Sequence, residues 1–215
     1  VSIDPLVEFQ TVNVQVTLED SAGAPLDPAT IQYYAGGWKP FGTTTAGIAE
    51  TELLPGTYTF RASYEGASLD KKQDVGTDTL VMFQTVKAQV NLKDSTGTFL
   101  DTGTVQYYAG GWKSFGTTSG GIAEKELLPG SYSFRMAYLG DTQDIKQDIS
   151  SGTPVVFSTG KVISDTGTCQ QYYAGGWKPF TNGMELLPAS YKFRFNDGTP
   201  DTASSIVSGM ENHIH

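Results

Sequence analysis

The stretch Thr79-Leu80-Val81-Met82-Phe83-Gln84-Thr85-Val86-Lys87-Ala88-Gln89-Val90-Asn91-Leu92 holds no glycine or proline and reads as one extended run. At roughly 3.3 Å per residue it would span about 45 Å, longer than one strand of a small sandwich. Its alternation also changes phase. Val81 and Phe83 share one parity, whereas Val86, Ala88, Val90 and Leu92 share the other. Side chains on a strand alternate between faces, so a phase flip means the two halves serve different cores. The run therefore predicts a boundary, with Leu80–Phe83 closing one module and Val86–Leu92 opening the next.

Working outward, the same text recurs. Val7 and Phe9 match Val81 and Phe83, Val12–Leu18 matches Val86–Leu92, and Val155 with Phe157 repeats the closing signature. The phrase QYYAGGWK stands at Gln32–Lys39, Gln106–Lys113 and Gln171–Lys178, each time followed by ELLP and Tyr-x-Phe-Arg. The first two copies are about two-thirds identical, 74 residues apart (Gln32 to Gln106). Such self-similarity marks a tandem array, whose repeats are usually structural or binding units rather than catalytic ones. Within a copy, short runs such as Tyr132, Phe134, Met136 and Tyr138 alternate with polar residues. Gly and Asp-Ser turns separate them, which predicts an all-β fold. The expected architecture is three tandem Ig-like β-sandwich modules, the third truncated. They cover residues 11–83, 84–157 and 158–215, after a donor or linker strand at 1–10.

The order V-x-V-x-L-x-D-S-x-G followed by G-I-A-E-x-E-L-L-P-G-x-Y-x-F-R is carried by Val12–Gly23 with Glu52–Arg61, and by Val86–Gly97 with Glu126–Arg135. It resembles the prealbumin-like modules of bacterial surface proteins, which include Cna B-type repeats and carboxypeptidase regulatory-like domains. The resemblance implies extracellular stalks, adhesins and pilus shafts, and in many Cna B-type repeats a Lys–Asn isopeptide bond assisted by a buried acid. The matching lysine is Lys93, but module one has Glu19 there, Thr153–Ser158 offers no Asn, and Arg61 and Arg135 replace the acid-bearing motif. No isopeptide bond is expected.

Composition narrows the function classes. The 215 residues carry a net charge of −9 with only 17% charged residues, a balance unsuited to nucleic acid or to an anionic membrane face. No apolar run is long enough to cross a bilayer, and no membrane insertion is expected. Val1 is not Met and no signal peptide is visible, which fits either an arbitrary boundary or a processed, exported chain. The single cysteine, Cys169, excludes an internal disulfide and reads as a passive strand residue. No nucleophile elbow, phosphate loop or zinc motif is present, so neither enzyme activity nor a cofactor is expected. Asp20, Asp27, Asp94 and Asp101 lack the dense spacing of calcium loops and read as turn residues. His213 and His215 form at most a weak chelating pair in a tail, and no metal site is assigned.

Two functional expectations follow. Module three reads as lacking pieces: its first strand shrinks to Lys161–Ser164, the Gly-Ile-Ala-Glu strand is missing, and Glu211-Asn212-His213 stands where V-x-F should close it. The chain's N-terminus carries an unmatched closing strand. Donor-strand docking would join them, Ile3, Leu6, Val7 and Phe9 of one copy entering a groove around Tyr172, Leu186, Tyr191, Phe193 and Ile206 of the next. The result is a head-to-tail filament of identical copies at the cell surface. Two simpler readings stay open: an array cut from a longer one, or Ser208–His215 closing module three itself. The alternative function is a carbohydrate-binding or adhesive stalk. It would stack polysaccharide on Tyr34 and Trp38, Tyr108 and Trp112, and Tyr173 and Trp177, aromatics that could equally pack over each sandwich with Phe41, Phe115 and Phe180.

Overall fold

A computed structural model describes residues 8–215, so Ile3, Leu6 and Val7 lie outside the described residues. The first module contains β1 (Val12–Glu19), β2 (Thr30–Tyr34), β3 (Trp38–Thr43), β4 (Ile48–Leu53), β5 (Thr57–Tyr64), β6 (Ala67–Asp74) and β7 (Leu80–Gln84). They form a three-stranded sheet in the order β4-β1-β7 and a four-stranded sheet in the order β3-β2-β5-β6. Alternation decides the faces: Val14, Val16 and Leu18 of β1 are buried with Val81 and Phe83 of β7, opposite Ile31, Phe41, Phe60 and Ala62 of the other sheet. β1 and β7, the first and last strands, pair in parallel, with Val16 beside Val81 and Leu18 beside Phe83.

The second module repeats this plan in β8 (Val86–Lys93), β9 (Thr104–Tyr108), β10 (Trp112–Thr117), β11 (Ile122–Leu127), β12 (Ser131–Tyr138), β13 (Asp141–Asp148) and β14 (Val155–Ser158). Its sheets run β11-β8-β14 and β10-β9-β12-β13, and β14 lies parallel to β8. The phase flip in Thr79–Leu92 is now explained. Val81 and Phe83 enter the first core through β7, whereas Ala88, Val90 and Leu92 are buried along β8, and Thr85 alone separates the two strands. Edge-to-face rings fill each core, Tyr33, Phe41, Phe60 and Tyr58 in the first and Tyr107, Phe115, Phe134 and Tyr132 in the second. Burial pushes the Tyr132 phenol up to about 12.

The third module corrects the sequence reading. It has all seven strands: β15 (Gly160–Ser164), β16 (Cys169–Tyr173), β17 (Trp177–Pro179), β18 (Met184–Leu186), β19 (Ser190–Phe195), β20 (Thr202–Ser205) and β21 (Glu211–Ile214). The strand expected to be missing is shortened to β18, and β21 takes the closing place, parallel to β15 in the order β18-β15-β21. Register puts Ile214 where Val81 and Val155 stand, because its partner Ser164 is the counterpart of Val16 and Val90, and Asn212 takes the inward position two residues before it. Ile214 is buried in the third core. The Asn212 amide donates to the carbonyls of Val207 and Met210, and its oxygen accepts from the Val207 N–H. Gly160 permits this, since a Cβ there would collide with the Val207 carbonyl and the Asn212 side chain. Truncation thus shortened strands and changed the closing residues without deleting either.

The described residues divide into two compact units. One runs to Lys87 and includes Glu126–Pro129; the other holds Ala88–Lys125 and Gly130–His215. Cys169 is buried on β16, and its burial pushes the thiol pKa up.

Candidate functional site

The outer face of each four-stranded sheet carries one repeated constellation. Tyr34 and Trp38 meet edge to face at 5.5 Å, as do Tyr108 with Trp112 at 5.6 Å and Tyr173 with Trp177 at 5.5 Å. Each indole is covered by a guanidinium: Arg61 lies 3.9 Å above Trp38, Arg135 4.0 Å above Trp112 and Arg194 3.7 Å above Trp177. A carboxylate on the neighbouring strand orients each arginine, Asp70 for Arg61, Asp144 for Arg135 and Asp201 for Arg194. The arginine hydrogen bonds hold Asp70 and Asp144 below the usual carboxylate range. The sheet separates the residues grouped from sequence: Phe41, Phe115 and Phe180 point into the cores, while the tryptophans stay outside with the arginines. Trp112 keeps 36% exposure. An open groove of about 450 Å³ lies beside Tyr173, Trp177, Ser190 and Lys192.

The proposed acceptor residues Tyr172, Leu186, Tyr191, Phe193 and Ile206 do come together, all buried in the third core. The groove expected among them is filled from within the chain by β21, which pairs with β15 and buries Ile214 in the same core. Phe9, the one donor residue described with Glu8, is 79% exposed, in contrast to Phe83 and Phe157 at the matching positions.

Sequence reasoning missed a second repeated site, built on the glutamate of ELLP. In the second unit the Glu185 carboxylate accepts from the Ser95 N–H (3.1 Å), the Ser95 hydroxyl (2.6 Å) and the Thr159 hydroxyl (2.5 Å). In the first unit Glu126 accepts from the Ser21 N–H (3.2 Å), the Ser21 hydroxyl (2.6 Å) and the Thr85 hydroxyl (2.5 Å). The turn that presents each serine is prepared by the aspartate before it. Asp94 accepts from the N–H groups of Thr96 and Thr98, and Asp20 from those of Ala22 and Ala24. The carboxylates weighed as calcium ligands are thus engaged as turn acceptors, and Asp27 and Asp101 likewise hold the N–H groups of Gly47 and Gly121. Two residues from each glutamate stands a leucine, Leu128 at 1% and Leu187 at 0% exposure. The sequence signal was present, since ELLP, Asp-Ser and the threonine after the closing strand recur together, but the partners lie 90 and 105 residues apart.

Asp165, on the third module's turn, is held differently. His213 Nδ1 lies 2.6 Å and His215 Nδ1 2.9 Å from its two oxygens. The Asp165 hydrogen bond and charge raise the His213 pKa, and Asp165 is lowered in return. Among the described residues no cluster of three or more His, Cys, Asp or Glu is arranged to hold a metal ion.

No family model matches the chain, and no curated protein matches it. Solved structures similar to it include bacterial pilins and tandem Ig domains of titin. The Bacillus anthracis TIE protein is 16% identical over 94% of this chain and 49% of its own, with a TM-score of 0.33. The chain therefore spans about half the length of that protein. A streptococcal ancillary pilin is 10% identical over 95% of this chain and 99% of its own, TM-score 0.29. BcpA, the major pilin subunit of Bacillus cereus, is 9% identical over 95% and 99%, TM-score 0.30. The class of the chain rests on its own sheets: three Ig-like β-sandwich modules in tandem.

Proposed function

We infer that this chain is a structural segment of an extracellular fibre or stalk, built to carry tension. One observation carries the reading. In every module the first and last strands are parallel neighbours, β1 with β7, β8 with β14 and β15 with β21. Tension enters such a module at the start of its first strand and leaves at the end of its last. In a parallel pair those points lie at opposite ends, so force runs along the strands and loads all their hydrogen bonds together. Peeling them one at a time would need far less. The acidic charge and the repeated, chemically plain surface suit a spacer rather than an enzyme.

Pulling single molecules from both ends tests this. Two events should each release roughly 250 Å of chain, and one roughly 190 Å, from the residues within Val12–Gln84, Val86–Ser158 and Gly160–Ile214. Val81→Pro, which removes a donor from the parallel ladder, should lower the force of one long event only. Forces as low as those of a peeled hairpin would sink the reading. Growth of the fibre by donation of Ile3, Leu6, Val7 and Phe9 to the third module of an identical copy would require displacing Glu211–Ile214. It is therefore the less favoured form of this function. Deleting residues 1–11 tests it directly, since filaments that survive the deletion are not made by that strand.

The groove beside Trp177 favours carbohydrate binding as a second reading, with Tyr173 and Trp177 as the stacking pair and Ser190 and Lys192 as polar contacts. Glycan-array binding that Trp177→Ala removes without loss of folding would support it. The arginine over each indole already occupies one stacking surface, which weighs towards packing.

A further inference from the structure

The glutamate site is occupied twice and open once. Glu52, the counterpart of Glu126 and Glu185, is exposed, and its carboxylate has no partner among the described residues. Leu54, the counterpart of Leu128 and Leu187, is 48% exposed where they are at 1% and 0%. Thr11, the counterpart of Thr85 and Thr159, is exposed where they are buried. Phe9, the counterpart of two core phenylalanines, is exposed as well. Four residues that elsewhere in the chain meet a neighbouring sandwich are thus unpartnered together at one end of module one.

We propose that Phe9, Thr11, Glu52 and Leu54 form a docking surface for one specific occupant, a β-sandwich module with an Asp-Ser turn joined in cis ahead of Phe9. Phe9 closes that module's core, its serine gives an N–H and a hydroxyl to Glu52, Thr11 gives a second hydroxyl, and Leu54 is covered. The cis arrangement follows the two internal examples. In both, the threonine comes from the single residue between a closing strand and the next opening strand, Thr85 after β7 and Thr159 after β14. The chemistry also excludes the protein's own third module as occupant. Its turn runs Asp165-Thr166-Gly167 with no serine, Asp165 is engaged by His213 and His215, and β21 fills the closing place. Where Tyr64 and Tyr138 stand beside the clamps, the third module has Asp197, whose hydrogen bonds to Thr199 and Thr168 keep it ionised. That charge would oppose an incoming Glu52 carboxylate.

The test uses the full chain and a version with a second copy of residues 86–154 placed directly ahead of Val7. In the extended chain Val7-Glu8-Phe9 replaces Val155-Val156-Phe157 as the closing strand. The expected result is a fourth cooperative melting transition. Glu52→Ala should then lower melting by several degrees in the extended chain and leave the unextended chain unchanged. An added segment that stays unfolded would overturn the proposal, as would an equal effect of Glu52→Ala in both chains. Sedimentation of the unextended chain closes the remaining route, because oligomers dissolved by Glu52→Ala would make the occupant a second copy. None of these failures touches the tension reading, which rests on pairing inside each module.

Discussion

Replacing Glu185 by alanine should uncouple the third module from the turn at Ser95, and the geometry sets the size of the loss. Three donors converge on one carboxylate at 2.5–3.1 Å. Hydrogen bonds to a charged group contribute about 1.5–3 kcal/mol each. They share one acceptor group and the site is only partly buried, so they cannot add in full. After the loss, Ser95 can turn to water, whereas the Thr159 hydroxyl keeps the Lys93 carbonyl at 3.3 Å. The net cost is about 2 kcal/mol, or roughly 10 °C in the transition of a module this small. Scanning calorimetry of the whole chain reads it as a selective shift of one transition. Glu185→Gln, which keeps one acceptor oxygen and loses the charge, should fall between wild type and alanine. Glu52→Ala is the internal control, the same residue in the same motif without partners, and should change stability by less than about 0.5 kcal/mol. Equal shifts for Glu185→Ala and Glu52→Ala would refute the clamp.

Leu187→Ala should cost about 3 kcal/mol and Leu54→Ala under about 1, because the first is fully buried and the second is half exposed; chemical denaturation of the two variants checks this. The closing strand β21 should respond to pH. His213 has its pKa raised by Asp165, so its contribution is full below the ordinary histidine range and is lost as pH rises through the raised value. Asp165, lowered, loses its share only in acid. Hydrogen exchange of residues 211–214, corrected for intrinsic rate, should therefore quicken as pH rises through the raised histidine range, and His213→Gln should reduce the dependence. Intact mass should equal the sum of the residues; a deficit of one ammonia or water would reveal an isopeptide bond.

The two regular modules were legible because each depends on short-range alternation. Val81 and Phe83 against Val86, Ala88, Val90 and Leu92 located a strand boundary without any other information. The third module's closure was only partly legible: Ser208–His215 stood among the open readings, but Asn212 and His213 look unlike a sandwich strand. Asn212 is acceptable at an inward register only because Gly160, far away in sequence, leaves room for its amide network. Tyr34, Trp38 and Phe41 read as one cluster until the sheet placed the phenylalanine on the opposite face. Arg61 and Arg135 registered in the sequence only as departures from a family motif, whereas in space they cover the tryptophans. The glutamate clamp was written three times over, but its meaning depends on which copy has a neighbour.

Parallel pairing of first with last strands also sets a schedule for synthesis. The side of β1 that β7 will cover has no partner until Gln84 has been made, 65 residues after Glu19. At roughly 5–20 residues per second that interval lasts about 3–13 s, during which a nascent chain presents an open strand edge. Neighbouring ribosomes would carry the same edge in the same sequence. The design that resists pulling in the finished protein therefore makes each module most vulnerable to its own copies just before it is complete.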